Sequence, residues 1–160
     1  LASEINSLSE LGKKLNKIFH RDSTPSLFAS LLLFKIDSYS GKVDYINAGH
    51  FSPLIFKDNK IIESSKGDAA LGIIANSNYK EQTIVLEKND ILIAYSDGVF
   101  EAQNELGEFF GMERFFQLIK NSVNTTPQQM GKYIIAQLEL FIGDHPATDD
   151  ISLIIMKRTL

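Results

Sequence analysis

Ile91-Leu92-Ile93-Ala94-Tyr95-Ser96-Asp97-Gly98 is an almost wholly apolar run that ends abruptly in an acid and a glycine. A second stretch mirrors it: Thr148-Asp149-Asp150 leads directly into Ile151-Ser152-Leu153-Ile154-Ile155-Met156. Short apolar runs bounded by turn residues read as buried strands. A strand interior cannot solvate a carboxylate, so an aspartate at a strand's mouth needs water, a donor or a cation. If the two strands lie side by side, Asp97 and Asp149 meet at one end. Like charges at close range repel, and a hard divalent cation relieves the repulsion.

Around these strands the chain reads as one domain, residues 1–160, long enough to bury a sizeable core. Hydrophobic residues make up 44% and charged residues 22%, an ordinary globular balance. A net charge of -4, with no lysine- or arginine-rich run, argues against a nucleic-acid surface. Cysteine is absent, which excludes disulfides, thiolate nucleophiles and zinc–thiolate sites and is compatible with a cytoplasmic setting. The longest apolar stretches, such as Leu31-Leu32-Leu33-Phe34, are too short to span a bilayer, so no membrane insertion is expected. The sequence starts with Leu1 and reads as a piece of something longer.

The order of elements follows from periodicity. Leu1, Ile5, Leu8, Leu11, Leu15 and Ile18 form an amphipathic helical stripe. A long buried strand is expected over Leu27 to Ile36, with a hairpin at Ser38-Gly41 into Lys42 to Ala48. Pro53 to Phe56 and Ile61 to Glu63 form a second hairpin around Asp58-Asn59, residues that tolerate positive φ. Gln82 to Leu86 and Ile91 to Tyr95 read as a third hairpin. Met112 to Lys120 is a short helix. Thr126-Pro127-Gln128-Gln129 is a capping box with proline at the first helical position, and Gly143 ends that helix. Hairpins, then helices, then a return strand describe an α+β fold.

Candidate site residues stand out by chemistry. Asp97 with Gly98, and Asp149 with Asp150, offer oxygen ligands without nitrogen or sulfur, which suits magnesium or manganese better than zinc. Each pair also reads as an ordinary acidic turn. Asn47-Ala48-Gly49-His50 is a second cluster, where a histidine at a strand exit either serves structure or donates to a phosphate. Glu101 and Asn104 follow Asp97 closely, and solvent exposure is the simpler account of both. No serine elbow, phosphate-cradling loop or dinucleotide fingerprint is present.

Taken together these strings resemble a known family. Tyr45-Ile46-Asn47-Ala48-Gly49-His50-Phe51-Ser52-Pro53-Leu54, Leu71-Gly72-Ile73, Tyr95 to Ala102, Phe109-Phe110-Gly111 and Thr148 to Leu153 occur in the order seen in SpoIIE-like phosphatases. These belong to the metal-dependent (PPM, type 2C) serine/threonine protein phosphatases. The resemblance covers about Leu8 to Lys157. It implies two stacked antiparallel sheets flanked by helices, an αββα sandwich, around a two-metal Mn2+ or Mg2+ centre. It also implies that Asp97 and Asp149 are metal ligands, that Gly98 permits close backbone approach, and that Asp150 supports. Asn47 and His50 fall to the substrate side.

The family's opening aspartate-x-x-glycine-histidine-glycine motif has no counterpart in the sequence. The domain is therefore expected to be N-terminally truncated, its metal site incomplete, and this chain alone inactive or weakly active. Unpaired sheet edges would then favour a homodimer. The implied partner is a phosphorylated regulatory protein such as an anti-sigma-factor antagonist. Two other readings compete: a non-catalytic phosphoprotein-binding scaffold (a pseudophosphatase), and a generic ligand-binding domain whose acids are surface turns.

Overall fold

The computed structural model describes residues 7–24, 26–146 and 149–160. Leu1 and Ile5 of the helical stripe, and Thr148 of the second acidic motif, lie outside the described residues. The chain divides into two compact units, one of residues 1–52, 64–87 and 160, the other of residues 53–63 and 88–159.

The first unit holds helix α1 (Leu8–Asp22) and a three-stranded antiparallel sheet of β1 (Leu31–Asp37), β2 (Lys42–Ala48) and a strand at Gln82–Val85. Ser7 caps α1, its hydroxyl accepting from the Glu10 amide. Leu8, Leu15 and Phe19 pack onto a core of Ile46, Ala48, Leu71 and Tyr79. The fully inward positions of α1 are nevertheless Gly12 and Asn16, while Ile18 is exposed. At Gly12 the helix runs so near Ile46 and Tyr79 that a Cβ would lie 2.5 Å from the Ile46 Cδ1. Asn16 fills the neighbouring position. Its amide donates to the Ile74 and Ala75 carbonyls at 2.9 and 3.1 Å and accepts from the Gly72 amide at 2.9 Å. One buried side chain thus fastens α1 to the 72–75 loop.

The second unit holds β3 (Leu54–Lys57), β4 (Lys60–Glu63), a strand at Ile91–Tyr95, helices α2 (Gly111–Ser122) and α3 (Pro127–Ile142), and a final strand at Leu153–Lys157. In chain order the three remaining strands are β5 (82–85), β6 (91–95) and β7 (153–157). The sheet order is β4-β3-β6-β7, antiparallel throughout. Asp58 and Asn59 take φ of 50° and 60°, the paired left-handed conformation of a tight hairpin turn. The capping box at Thr126 and Gln129 forms as read, and Gly143 closes α3 at φ 63°. Met130, Ile134 and Leu138 of α3 and Phe115 and Ile119 of α2 join Leu54, Ile91 and Ile93 in one apolar core.

Two expectations are corrected. The third hairpin does not form: β5 pairs with β2, and β6 pairs with β3 and β7. The connecting loop explains why. Asn89, at φ 73°, and Asp90 exchange backbone hydrogen bonds with Arg158, at 2.9 and 3.0 Å, which commits the start of β6 to β7. Nor is 27–36 one long buried strand. β1 begins at Leu31, only Ala29 bridges to Leu71 before it, and Leu27 and Phe28 are exposed. Among the described residues β2 is the one strand paired with β1, which is half-covered, and Phe34 leans on its register partner Tyr45.

Asn16→Ala empties a fully buried side-chain position and strips three part-buried backbone groups of their partner, and is expected to cost about 2–3 kcal/mol in urea denaturation. Thr126→Ala, at an exposed cap, is expected to cost about 1 kcal/mol. Equal losses in the two variants would contradict the fastening role of Asn16.

Candidate functional site

The pairing of β6 with β7 runs Ile91↔Lys157 to Tyr95↔Leu153. Because the strands are antiparallel, the exit of β6 and the entry to β7 lie at the same end of the sheet. Asp97 follows that exit by two residues and Asp149 precedes that entry by four. The structure thus brings the two acidic motifs to one place. All five residues of β6 are buried, so the chain can first meet solvent only at Ser96.

Ser96 joins the two segments. Its hydroxyl donates to the Asp150 carbonyl at 3.0 Å and accepts from the Ser152 amide at 2.9 Å, while its amide donates to the Ser152 carbonyl at 3.0 Å. Gly98 lets this happen. A Cβ there would sit 2.5 Å from the Asp150 carbonyl oxygen, closer than real Cβ contacts come, and the obstacle is backbone that cannot swing away. Glycine is required here for close approach and not for an unusual φ.

Asp97 opens a 3-10 turn, Asp97–Val99, and is half-buried. One of its carboxylate oxygens accepts from the Gly98 amide at 3.1 Å, and its carbonyl accepts from the Phe100 and Glu101 amides. Asp149 and Asp150 are exposed, and Asp149 accepts from the Asp150 amide at 2.7 Å. Asp149 and Gly98 both line a pocket with Gln103, Ile142 and Pro146. Tyr95, immediately before, is no acid–base candidate. Burial, with the Glu63 charge adding, pushes its hydroxyl up to about 12. It stays protonated at neutral pH. Its contribution to stability is full below pH 10.0 and is lost as pH rises towards about 12.

Carboxylate oxygens are the donors that manganese and magnesium take, so Asp97 and Asp149 fit such an ion chemically. The donor set is small: among the described residues no cluster of three or more His, Cys, Asp or Glu side chains is poised around one point. The residues present fit one side of a metal centre.

Asn47 and His50 belong to the first unit. Asn47 is fully buried, and its amide is committed to the loop: it donates to the His50 carbonyl at 3.0 Å and accepts from the His50 amide at 2.8 Å. Gly67 packs directly on it, and the Asp68 amide donates to its carbonyl. Asn47 therefore shapes the loop, and His50, half-buried, is what the loop presents.

Sequence reasoning passed over Ser96 and Asn16. The signal for Asn16 was available, as the amide four residues after Gly12 on a leucine-bearing face. For Ser96 there was none, since its partners are backbone groups more than fifty residues away.

The profile of the family described as Stage II sporulation protein E (SpoIIE) matches residues 1–159. The phosphoserine phosphatase RsbU of Bacillus subtilis is 29% identical over 152 residues, covering 94% of this chain and 45% of that protein. The chain thus spans about half the length of this curated relative. The crystal structure of the RsbU and RsbW domains of Rv1364c from Mycobacterium tuberculosis superposes with a TM-score of 0.76 at 23% identity. It covers 99% of this chain and 44% of that one. The manganese-presoaked phosphatase domain of SpoIIE from Bacillus subtilis gives a TM-score of 0.66 at 18% identity, covering 99% and 69%.

In Ser96→Ala the Ser152 amide loses its acceptor, and its hydrogen exchange is expected to quicken by about tenfold. Gly98→Ala is expected to cost about 1–3 kcal/mol in thermal denaturation. An unchanged Ser152 exchange rate would contradict the joining role of Ser96.

Proposed function

The chain belongs to the stage II sporulation protein E family, and on that premise we propose that it carries the Asp97/Asp149 side of a metal-dependent protein serine/threonine phosphatase. The observation that carries the reading is the β6–β7 register, which sets both acidic motifs at one sheet end. The name of the relative RsbU, a phosphoserine phosphatase, supports phosphoserine as the substrate group. The fold shared with the phosphatase domain of SpoIIE from Bacillus subtilis is in keeping with a phosphatase. The proposed partner is a phosphorylated regulatory protein such as an anti-sigma-factor antagonist.

In this proposal Asp97 and Asp149 hold Mn2+ or Mg2+. A bound pair of such ions supplies an activated water and offsets charge on the phosphoryl oxygens. The chain's own residues do the positioning. Asp97 is held at the start of its 3-10 turn by the Gly98 amide. Ser96 holds the Asp150 carbonyl beside Gly98, so the exposed Asp149 carboxylate is carried one residue before an anchored backbone position. His50 is proposed as a donor to phosphate, with Asn47 fixing its loop.

A scaffold that binds phosphoproteins without hydrolysing them is the second reading, in keeping with the few carboxylates that the described residues bring to this sheet end. The protein as a whole decides between the two. In the intact protein, manganese-dependent phosphate release from a phosphoserine peptide is expected, abolished by chelation and reduced at least about a hundredfold in Asp97→Asn and in Asp149→Asn. Release that survives both substitutions, or that ignores chelation, would contradict the metal reading. Peptide binding without release would favour the scaffold.

A further inference from the structure

Between the 3-10 turn and α2, the chain makes a protrusion built of Gln103 to Phe109. Gln103 and Phe109 form an antiparallel bridge at its base. Inside it, the Asn104 side chain accepts from the Leu106 and Glu108 amides at 3.0 and 2.9 Å and donates to the Glu108 carboxylate at 2.9 Å. Gly107 turns at φ 75°, its amide donating to the Asn104 carbonyl at 2.9 Å. At the base, the Arg114 guanidinium donates to the Phe109 and Phe110 carbonyls, both at 2.9 Å, and lies over the Phe141 ring. The protrusion is therefore pre-shaped by its own hydrogen bonds and anchored to both helices of its unit.

Its surface is out of keeping with that internal order. Leu106 is 83% and Phe109 56% exposed. Exposed apolar side chains held on a rigid support mark contact surfaces. Glu101, Glu105 and Glu108, close to them in sequence, are exposed, and Glu113 follows at the start of α2. Arg114, the nearest cation in sequence, is exposed but engaged, its guanidinium donating to the Phe109 and Phe110 carbonyls and stacking on the Phe141 ring. The apolar pair thus stands in an acidic stretch of sequence, with four exposed glutamates between residues 101 and 113.

The protrusion also adjoins the acidic motifs. The Glu101 amide donates to the Asp97 carbonyl, and Gln103, at its base, lines the pocket that Gly98 and Asp149 line. We propose that the 103–109 protrusion is a docking surface for the protein substrate, taking a segment beside the phosphoserine that is rich in basic and aliphatic side chains. Leu106 and Phe109 cover the aliphatic groups, and the glutamates meet the cations. The inference rests on the phosphatase reading for the word substrate, and on the protrusion alone for the chemistry of its partner. It makes specificity a property of residues that contact no reacting atom.

The test uses the intact protein and two fluorescent phosphoserine peptides of equal length, one flanked by lysine and leucine, the other by glutamate and serine. Anisotropy at low ionic strength reads their affinities, and phosphate release is followed in parallel. The basic-aliphatic peptide is expected to bind about tenfold more tightly, the sum of a few exposed charge pairs and a covered apolar contact. Leu106→Ser with Phe109→Ser should shrink that ratio, and Glu105→Lys should shift it towards the acidic peptide. Equal affinities, or a preference untouched by all three substitutions, overturns the docking surface whatever the turnover. A preference that follows the substitutions while neither peptide loses phosphate sustains the surface and overturns the phosphatase reading instead.

Discussion

The backbone ladder between β6 and β7 is the constraint from which the rest of the second unit follows. Five register pairs, ending at Tyr95↔Leu153, decide which end of the sheet receives both acidic motifs. At that end the ladder continues one step through side-chain chemistry. Ser96 stands where the strand pair would otherwise open, and its hydroxyl satisfies one carbonyl and one amide of the facing segment. A serine here closes the sheet end and, by the same two bonds, holds the segment that carries the second acidic motif. Gly98 removes the one Cβ that would hold the segments apart. Site geometry and sheet continuity are thus one feature seen from two sides.

That coupling explains why the carboxylates can be so differently exposed. Asp97 is half-buried within a turn that begins at a sheet end, whereas Asp149 and Asp150 lie open to solvent. An exposed side chain is usually free to wander, and its charge is well screened. Here the backbone beneath Asp150 is hydrogen-bonded to Ser96, which limits that freedom. In the first unit Asn47 does the equivalent for His50 by holding both its amide and its carbonyl. In each case a buried or half-buried polar residue fixes a loop, and the residue with chemistry to offer is presented beside it.

Much of this was legible in the sequence, and the failures have identifiable causes. Patterns that depend on neighbours in sequence survived intact: the Asp58-Asn59 turn, the Thr126 capping box and the Gly143 stop are all local, and each is found as read. The apolar runs at 91–95 and 151–156 correctly announced strands, and these pair as β6 and β7. What failed was pairing at a distance. Alternation in Gln82 to Leu86 and a short turn suit a hairpin as well as a departure to another sheet, and long-range bonds distinguish them: β5 pairs with β2, and Asn89 and Asp90 exchange backbone bonds with Arg158. Exposure failed for a similar reason, since the apolar Leu27 to Ile36 stretch carries no mark that it borders its sheet. Ser96 and Asn16 were passed over because small polar residues are common, and their roles depend on carbonyls supplied by remote segments.

The central claim is that Asp97 and Asp149 act on one bound cation set because the β6–β7 ladder brings them together. Manganese affinity, measured by electron paramagnetic resonance on the intact protein for Asp97→Asn, Asp149→Asn and the double variant, tests it most directly. A shared site predicts that either single substitution loses nearly as much affinity as both together, a strongly non-additive cycle. Losses that simply add, or affinity unchanged in all three variants, would contradict it.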